Sequence, residues 1–98
     1  MDITAAELKQ RIENKETPFI IDVREDHEYE EQHLDGVKHI PLGAIPDKLD
    51  ELEDYKDQEV IVHCRSGARS AAAQAFLKQN GFTNVRNLTG GIMAYNNL

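Results

Sequence analysis

The stretch from Val60 to Leu77 constrains the fold more tightly than any other part of the chain. Val60-Ile61-Val62 is an apolar β-branched run, His63 to Ser70 is polar and contains Gly67, and the segment from Ala71 to Leu77 is dominated by alanine. The pattern predicts a buried strand, a loop of about six residues and a helix running from Ser70. At such a junction the loop N–H groups and the free N–H groups of the helix start converge on one spot, and the helix dipole adds positive potential there. Arg65 and Arg69 bracket the loop, Gly67 permits backbone angles that other residues avoid, and the small side chains of Ser66 and Ala68 leave room for a ligand. The loop is therefore predicted to bind an anion. Cys64, the only cysteine, stands beside it. Cationic side chains and a helix N-terminus stabilise a thiolate over a thiol, so Cys64 is expected to ionise readily and act as a nucleophile. A cysteine without such a setting is more often a small buried hydrophobe; the polar, twice-cationic loop argues that this one lies outside the core.

The remaining chain is organised around similar units. Thr4-Ala5-Ala6-Glu7 is a capping box that opens a helix ending near Asn14, and Pro18 introduces the short apolar strand Phe19 to Val23. Glu25 to Gln32 suits a short polar helix, and Val37 to Ile40 suits a strand stopped by Pro41. Ile45, Leu49 and Leu52 lie at helical spacing, Asn80-Gly81 ends the alanine-rich helix, and Val85 to Leu88 makes another strand. Thr89-Gly90-Gly91 then turns the chain into a short helix ending with Tyr95. Short apolar strands alternating with helices predict an α/β fold with a parallel sheet covered on both faces, whose ligands bind beyond the carboxyl ends of the strands.

Composition narrows the function classes. At 98 residues, residues 1–98 are expected to form a single domain, with 40% apolar and 30% charged residues as in ordinary globular proteins. A formal charge of −7 argues against nucleic acid and anionic membranes as partners, and no segment approaches the ~20 apolar residues of a membrane span. The first residues lack the basic and apolar regions of a secretory signal, and one cysteine forms no internal disulfide, so a cytoplasmic location is expected. No metal and no cofactor is implied: His27, His33, His39 and His63 lack a thiolate cluster and helical ligand spacing. The acidic residues Glu28, Glu30, Glu31 and the run Asp50 to Asp54 read as solvated faces. Asp22, after three apolar residues, is expected to be partly buried and to need a donor, either loop N–H groups or Arg24. That pair reads as structural, with bracing of the neighbouring loop as its functional alternative. Gly90-Gly91 reads as a tight turn, since no G-x-G-x-x-G pattern surrounds it.

Together, Asp22-Val23-Arg24-Glu25, Glu28-Tyr29, His33 through Gly36, Ile40-Pro41, the Cys64 to Ser70 loop and Gly90-Gly91 resemble a single-domain rhodanese, a thiosulfate sulfurtransferase-like family, over nearly the whole chain. The resemblance implies a rhodanese-like α/β fold with a five-stranded parallel sheet flanked by helices on both faces. It also implies a cysteine that carries sulfur as a persulfide, and it places His33 in a family motif. Gln32 to Val37 departs from the usual Gly-His-Ile-Pro-Gly-Ala, and Tyr95 stands where tryptophan is usual. Rhodanese-like phosphatases are the rival resemblance. Their loop of form His-Cys-x5-Arg has one residue more than His63-Cys64-x4-Arg69, and a phosphoryl group needs a wider ring of donors than one terminal sulfur.

The expected chemistry is sulfur transfer: Cys64 attacks a small anionic sulfur donor, thiosulfate or a persulfide, and passes the sulfur to cyanide, an external thiol or a protein acceptor. Cys64 and Arg69 are the expected catalytic residues. Arg65, Ser66, Gly67, Ala68 and Ser70 are expected to bind the substrate, with the backbone N–H groups of Arg65 to Ser70 holding the persulfide's charge. A persulfide carrier or regulatory partner-binding module stays open as the alternative, followed by a rhodanese-fold arsenate reductase or phosphatase.

Overall fold

The structure, a computed structural model, describes residues 1–98. The β3 strand (Glu59–His63) forms the middle of the sheet because Val60, Ile61 and Val62 are apolar toward both faces and fully buried. It pairs in parallel with β1 (Ile20–Asp22) on one side and with β4 (Asn84–Asn87) on the other, and β2 (Lys38–His39) adds to the far side of β1. The strand order is β2-β1-β3-β4.

The sheet thus has four strands, not the five expected. The N-terminal segment supplies only one bridging residue: Ile3 pairs in parallel with Leu88, its N–H donating to the Asn87 carbonyl at 3.0 Å and its carbonyl accepting from the Thr89 N–H at 2.9 Å. Thr4 follows at once as the N-cap of α1 (Ala5–Glu13), in a capping box with Glu7, so the backbone becomes helical before a ladder can grow.

Alternation along the strands sends Ile21, Val60, Val62 and Val85 to one face, where Ile45, Leu52, Ala73, Leu77 and Phe82 cover them. That cover comes from α3 (Ile45–Lys48), α4 (Ala68–Gln79) and the turns around them. Ile20 and Ile61 face the other way, against Ile3, Leu8, Leu34, Leu88 and Ile92, beneath α1 and α5 (Gly91–Asn96). The short polar α2 (Asp26–Glu31) has no buried residue.

Two helices differ from the periodicity. Instead of running from Ile45 to Leu52, α3 stops at Lys48; the Leu52 N–H is shared between the carbonyls of Lys48 at 3.2 Å and Leu49 at 3.1 Å, which tightens the last turn. The alanine-rich α4 begins at Ala68 rather than Ser70, with Gly67 as its N-cap, and so takes Arg69 into its first turn. No helix is long and apolar enough to cross a membrane. Because all four strands are parallel, Asp22, His39, His63 and Asn87 end at one edge of the sheet, and Cys64 leaves from it.

Candidate active site

Cys64 emerges from β3 with no exposed surface and packs with the apolar face of Val60 and Val62. Polarity of the following loop does not keep this residue out of the core, contrary to the sequence expectation. The loop folds back over it. Cys64 Sγ accepts hydrogen bonds from the Gly67 N–H at 3.1 Å, the Ser70 N–H at 3.4 Å and the Ser70 hydroxyl at 3.3 Å. Gly67 has φ +114°, a conformation that aims its N–H at the sulfur and that a side chain would resist. Burial pushes the Cys64 thiol up, but the Ser70 hydroxyl and the backbone N–H groups of Ser70, Gly67 and Ser66 outweigh it and hold the thiol below its ordinary range. These hydrogen bonds, rather than the two arginines, are the main cause.

The loop is braced from behind by α5. The Ile92 N–H donates to the Cys64 carbonyl at 2.9 Å and the Met93 N–H to the Arg65 carbonyl at 3.1 Å, so the free donors of one helix start hold the carbonyls of the Cys64 loop. Gly91 makes this approach possible: a Cβ there would lie 2.6 Å from the Cys64 carbonyl oxygen and closer still to that of Arg65. Gly90-Gly91 is thus a turn, as its sequence suggests, and also the point where α5 meets the loop.

The other expected site residues separate by role. Ser70 is buried against Sγ, Ser66 and Arg65 are exposed on the outer turn, and Ala68 opens α4 with its methyl exposed. Arg69 turns to α2, donating from Nη1 to Glu28 Oε1 at 2.6 Å and from Nη2 to Glu28 Oε2 at 2.9 Å. Arg69 hydrogen bonds hold the Glu28 carboxyl down at about 2. Glu28 is therefore part of the site's frame rather than of a merely solvated face. Arg11, Arg24, Arg69 and Arg86 each pair with a carboxylate, whereas Arg65 pairs with none. Arg65 lines a polar groove with Glu28, Glu31, Gln32, Met93 and Asn96.

Below the loop lies a buried polar network. Arg24 donates to Asp22 from its backbone N–H at 3.0 Å and from Nη2 at 2.7 Å, and Nη2 also reaches the Gln32 carbonyl at 2.7 Å. Asp22 thus finds its donor in Arg24. Burial pushes the Asp22 carboxyl up, but the hydrogen bonds and charge of Arg24 outweigh it and bring it below its usual range. His63 is fully buried, with Nδ1 3.2 Å from the Cys64 carbonyl and Nε2 3.6 Å from Asp22 Oδ2. Burial lowers its affinity for a proton. His33 stands apart from the sulfur, stacked on Tyr29 with ring centroids 3.9 Å apart and Nδ1 2.8 Å from the Tyr29 carbonyl. No group of three or more His, Cys, Asp or Glu side chains is arranged to hold a metal ion.

Two residues at this edge are not assigned to the site by the sequence reading. Glu28 looks like its acidic neighbours, and only the Glu28-Tyr29 motif of the family resemblance sets it apart. Asn87 accepts from the Ser70 hydroxyl at 2.6 Å and donates from Nδ2 to the Gly67 carbonyl at 3.1 Å. Its signal is the Val85-x-Asn87 spacing, which puts a polar side chain on the same side of β4 as a buried valine.

The family model of the rhodanese-like domain matches residues 4–98. The chain belongs to the rhodanese-like family. This rhodanese-like chain is 43% identical to YtwF of Bacillus subtilis, which bears a provisional sulfurtransferase name, over 96% of this chain and 88% of that protein. It is 36% identical to a sulfurtransferase of Allochromatium vinosum, over 96% of this chain and 86% of that one. A further relative, YrkF of Bacillus subtilis, bears a provisional sulfur-carrier name; identity is 38% over 93% of this chain and 48% of that protein. Among solved structures, a rhodanese-like domain protein from Staphylococcus aureus superposes with a TM-score of 0.88 at 33% identity, covering 97% of this chain and 91% of that one.

Proposed function

We propose that this rhodanese-like protein is a sulfurtransferase that moves a sulfane sulfur from thiosulfate or a persulfide donor to an external thiol or cyanide through a Cys64 persulfide. The observation that carries this reading is the ring of donors on the Cys64 sulfur, from Gly67 at 3.1 Å and from the Ser70 N–H and hydroxyl at 3.4 and 3.3 Å. Such a ring favours a thiolate, and its backbone N–H groups are already in place when negative charge develops. In the first step the Cys64 thiolate attacks the outer sulfur of thiosulfate; a new S–S bond forms, the old one breaks, and sulfite leaves with its electron pair. The free guanidinium of Arg65 is the cation available to that anion, since Arg69 is engaged by Glu28. In the second step an acceptor thiolate or cyanide takes the outer sulfur and Cys64 returns as a thiolate. With one cysteine in the chain, the acceptor comes from outside. Because Cys64 has no exposed surface, a donor reaches it only after the outer turn, Arg65 to Gly67, shifts. The short Cys64 to Arg69 loop favours one sulfur over a phosphoryl group with three peripheral oxygens.

The test is the intact-protein mass after incubation with thiosulfate. The expected result is a gain of one sulfur atom, lost on adding cyanide, with neither the gain nor turnover in a folded Cys64→Ser variant. Absence of any sulfur adduct from thiosulfate and from a persulfide donor overturns the reading. Loading without repeated turnover on small acceptors would instead identify a carrier, the role named for YrkF.

A further inference from the structure

Ser70 has one hydroxyl proton and three neighbours able to accept it. Its Oγ lies 2.6 Å from Asn87 Oδ1, 3.3 Å from the Gly67 carbonyl oxygen and 3.3 Å from Cys64 Sγ. The Asn87 amide has only one workable orientation, because Nδ2 must face the Gly67 carbonyl at 3.1 Å, leaving Oδ1 toward Ser70. Ser70 is fully buried and Asn87 is 8% exposed, so the destination of the proton is decided among these groups rather than by bulk water. The short contact to Oδ1 claims it. While Cys64 is a thiol, Ser70 donates to Asn87 and turns a lone pair toward the sulfur. Once Cys64 is ionised, the hydroxyl serves the thiolate only by leaving Asn87, since one O–H cannot donate strongly to both.

We propose that Asn87 is a positioning residue that acts on Cys64 through Ser70: it competes for the Ser70 hydroxyl proton, restrains ionisation of the sulfur, and yields that proton when charge develops there. The proposal rests on the reading of Cys64 as the sulfur-carrying nucleophile. It assigns a task to a buried asparagine at the end of β4. The other charged and titratable groups around the sulfur are Arg65 on the outer turn, Arg69 of α4 with Glu28 of α2, and His63 of β3 with Asp22 and Arg24. None of them contacts Asn87 or the Ser70 hydroxyl, so they form a constant background; the carboxylate that does touch Asn87, that of Asp2, accepts its backbone N–H at 3.2 Å, a bond every Asn87 side-chain variant keeps.

The experiment is the rate of iodoacetamide alkylation against pH in four proteins: the unmodified chain, Asn87→Ala, Ser70→Ala and the double variant. The single cysteine makes each profile report Cys64 alone. Asn87→Ala is expected to move the midpoint down by roughly half to one pH unit, the scale of one neutral hydrogen bond. Ser70→Ala is expected to move it up, and adding Asn87→Ala to that background is expected to change nothing further. Asn87→Leu, closer in volume, replaces Asn87→Ala if the smaller residue unfolds the protein. An unchanged or raised midpoint in the single Asn87 variant overturns the proposal. So does an equal downward shift with and without Ser70, which would trace the effect to the lost bond to Gly67. Failure of sulfur loading in the unmodified protein would defeat the sulfurtransferase reading instead, and the alkylation profiles would still decide the role of Asn87.

Discussion

The Arg69 guanidinium meets Glu28 through both terminal nitrogens, and this limits what its charge does for Cys64 directly. Its first effect is to neutralise a carboxylate that would otherwise face the Cys64 loop and oppose the proposed thiolate. Arg69→Ala is therefore expected to lower sulfur transfer by roughly tenfold, a figure reduced for the partial exposure of the pair. Arg69→Lys should fall between, since it keeps the charge without the planar fork. Adding Glu28→Gln to Arg69→Ala should recover part of the loss, because the unpaired carboxylate is gone. Steady-state turnover of thiosulfate and cyanide in the four proteins checks this. Equal rates throughout would remove Arg69 from the machinery, and no recovery in the double variant would mean that Arg69 acts on the substrate itself.

Among the elements, α5 decides whether the loop keeps its shape, because its first N–H groups hold the carbonyls of Cys64 and Arg65. Gly91 has φ +61° and no room for a Cβ against those two peptide units. Gly91→Ala must push α5 away from the loop, at a cost of roughly 2 to 4 kcal/mol from overpacking and backbone strain. Gly43, where a Cβ would meet nothing within 4 Å, is the control. Urea unfolding should show the loss for Gly91→Ala alone, and alkylation of the folded fraction should place its Cys64 midpoint above that of Gly43→Ala. Indistinguishable stabilities would mean that the helix start does not carry the loop.

Taken as a whole, the molecule should lose stability in two stages on acidification. Burial of His63 keeps its affinity for a proton below the ordinary value of 6.5, so the unfolded chain takes up a proton that the fold refuses. Above about pH 6.5 the group is neutral in both states and exacts no penalty; below it stability falls as pH falls. Carboxylates with lowered pKa act the same way at lower pH. The Glu28 pair is fully stabilising above 4.5, the ordinary value, and its contribution is lost as pH falls toward about 2, with Asp22 and Glu59 contributing in the same direction. Urea unfolding from pH 8 to pH 3 should therefore show a shallow decline below 6.5 and a steeper one below 4.5. His63→Gln should flatten the first and Glu28→Gln part of the second. A stability curve level from pH 7 to pH 5 would show that His63 titrates alike in both states.

Local pattern was enough for the strand, loop and helix from Val60 to Leu77 and for the Thr4 to Glu7 capping box, since propensity, alternation and capping act over a few neighbouring residues. The alternation of short apolar strands with helices pointed to the parallel α/β arrangement, and the family motifs added a fifth strand that the structure lacks. The tertiary structure alone decided that only Ile3 joins the far edge of the sheet, that Cys64 is buried, and that hydrogen bonds rather than arginines ease its ionisation. It also chose Glu28 for Arg69 across 41 residues and Asn87 for Ser70 across 17. Partners so far apart leave no periodic trace in the chain. They meet because parallel strands deliver their carboxyl ends to one edge, where packing sets which polar groups share a dry space and must satisfy one another.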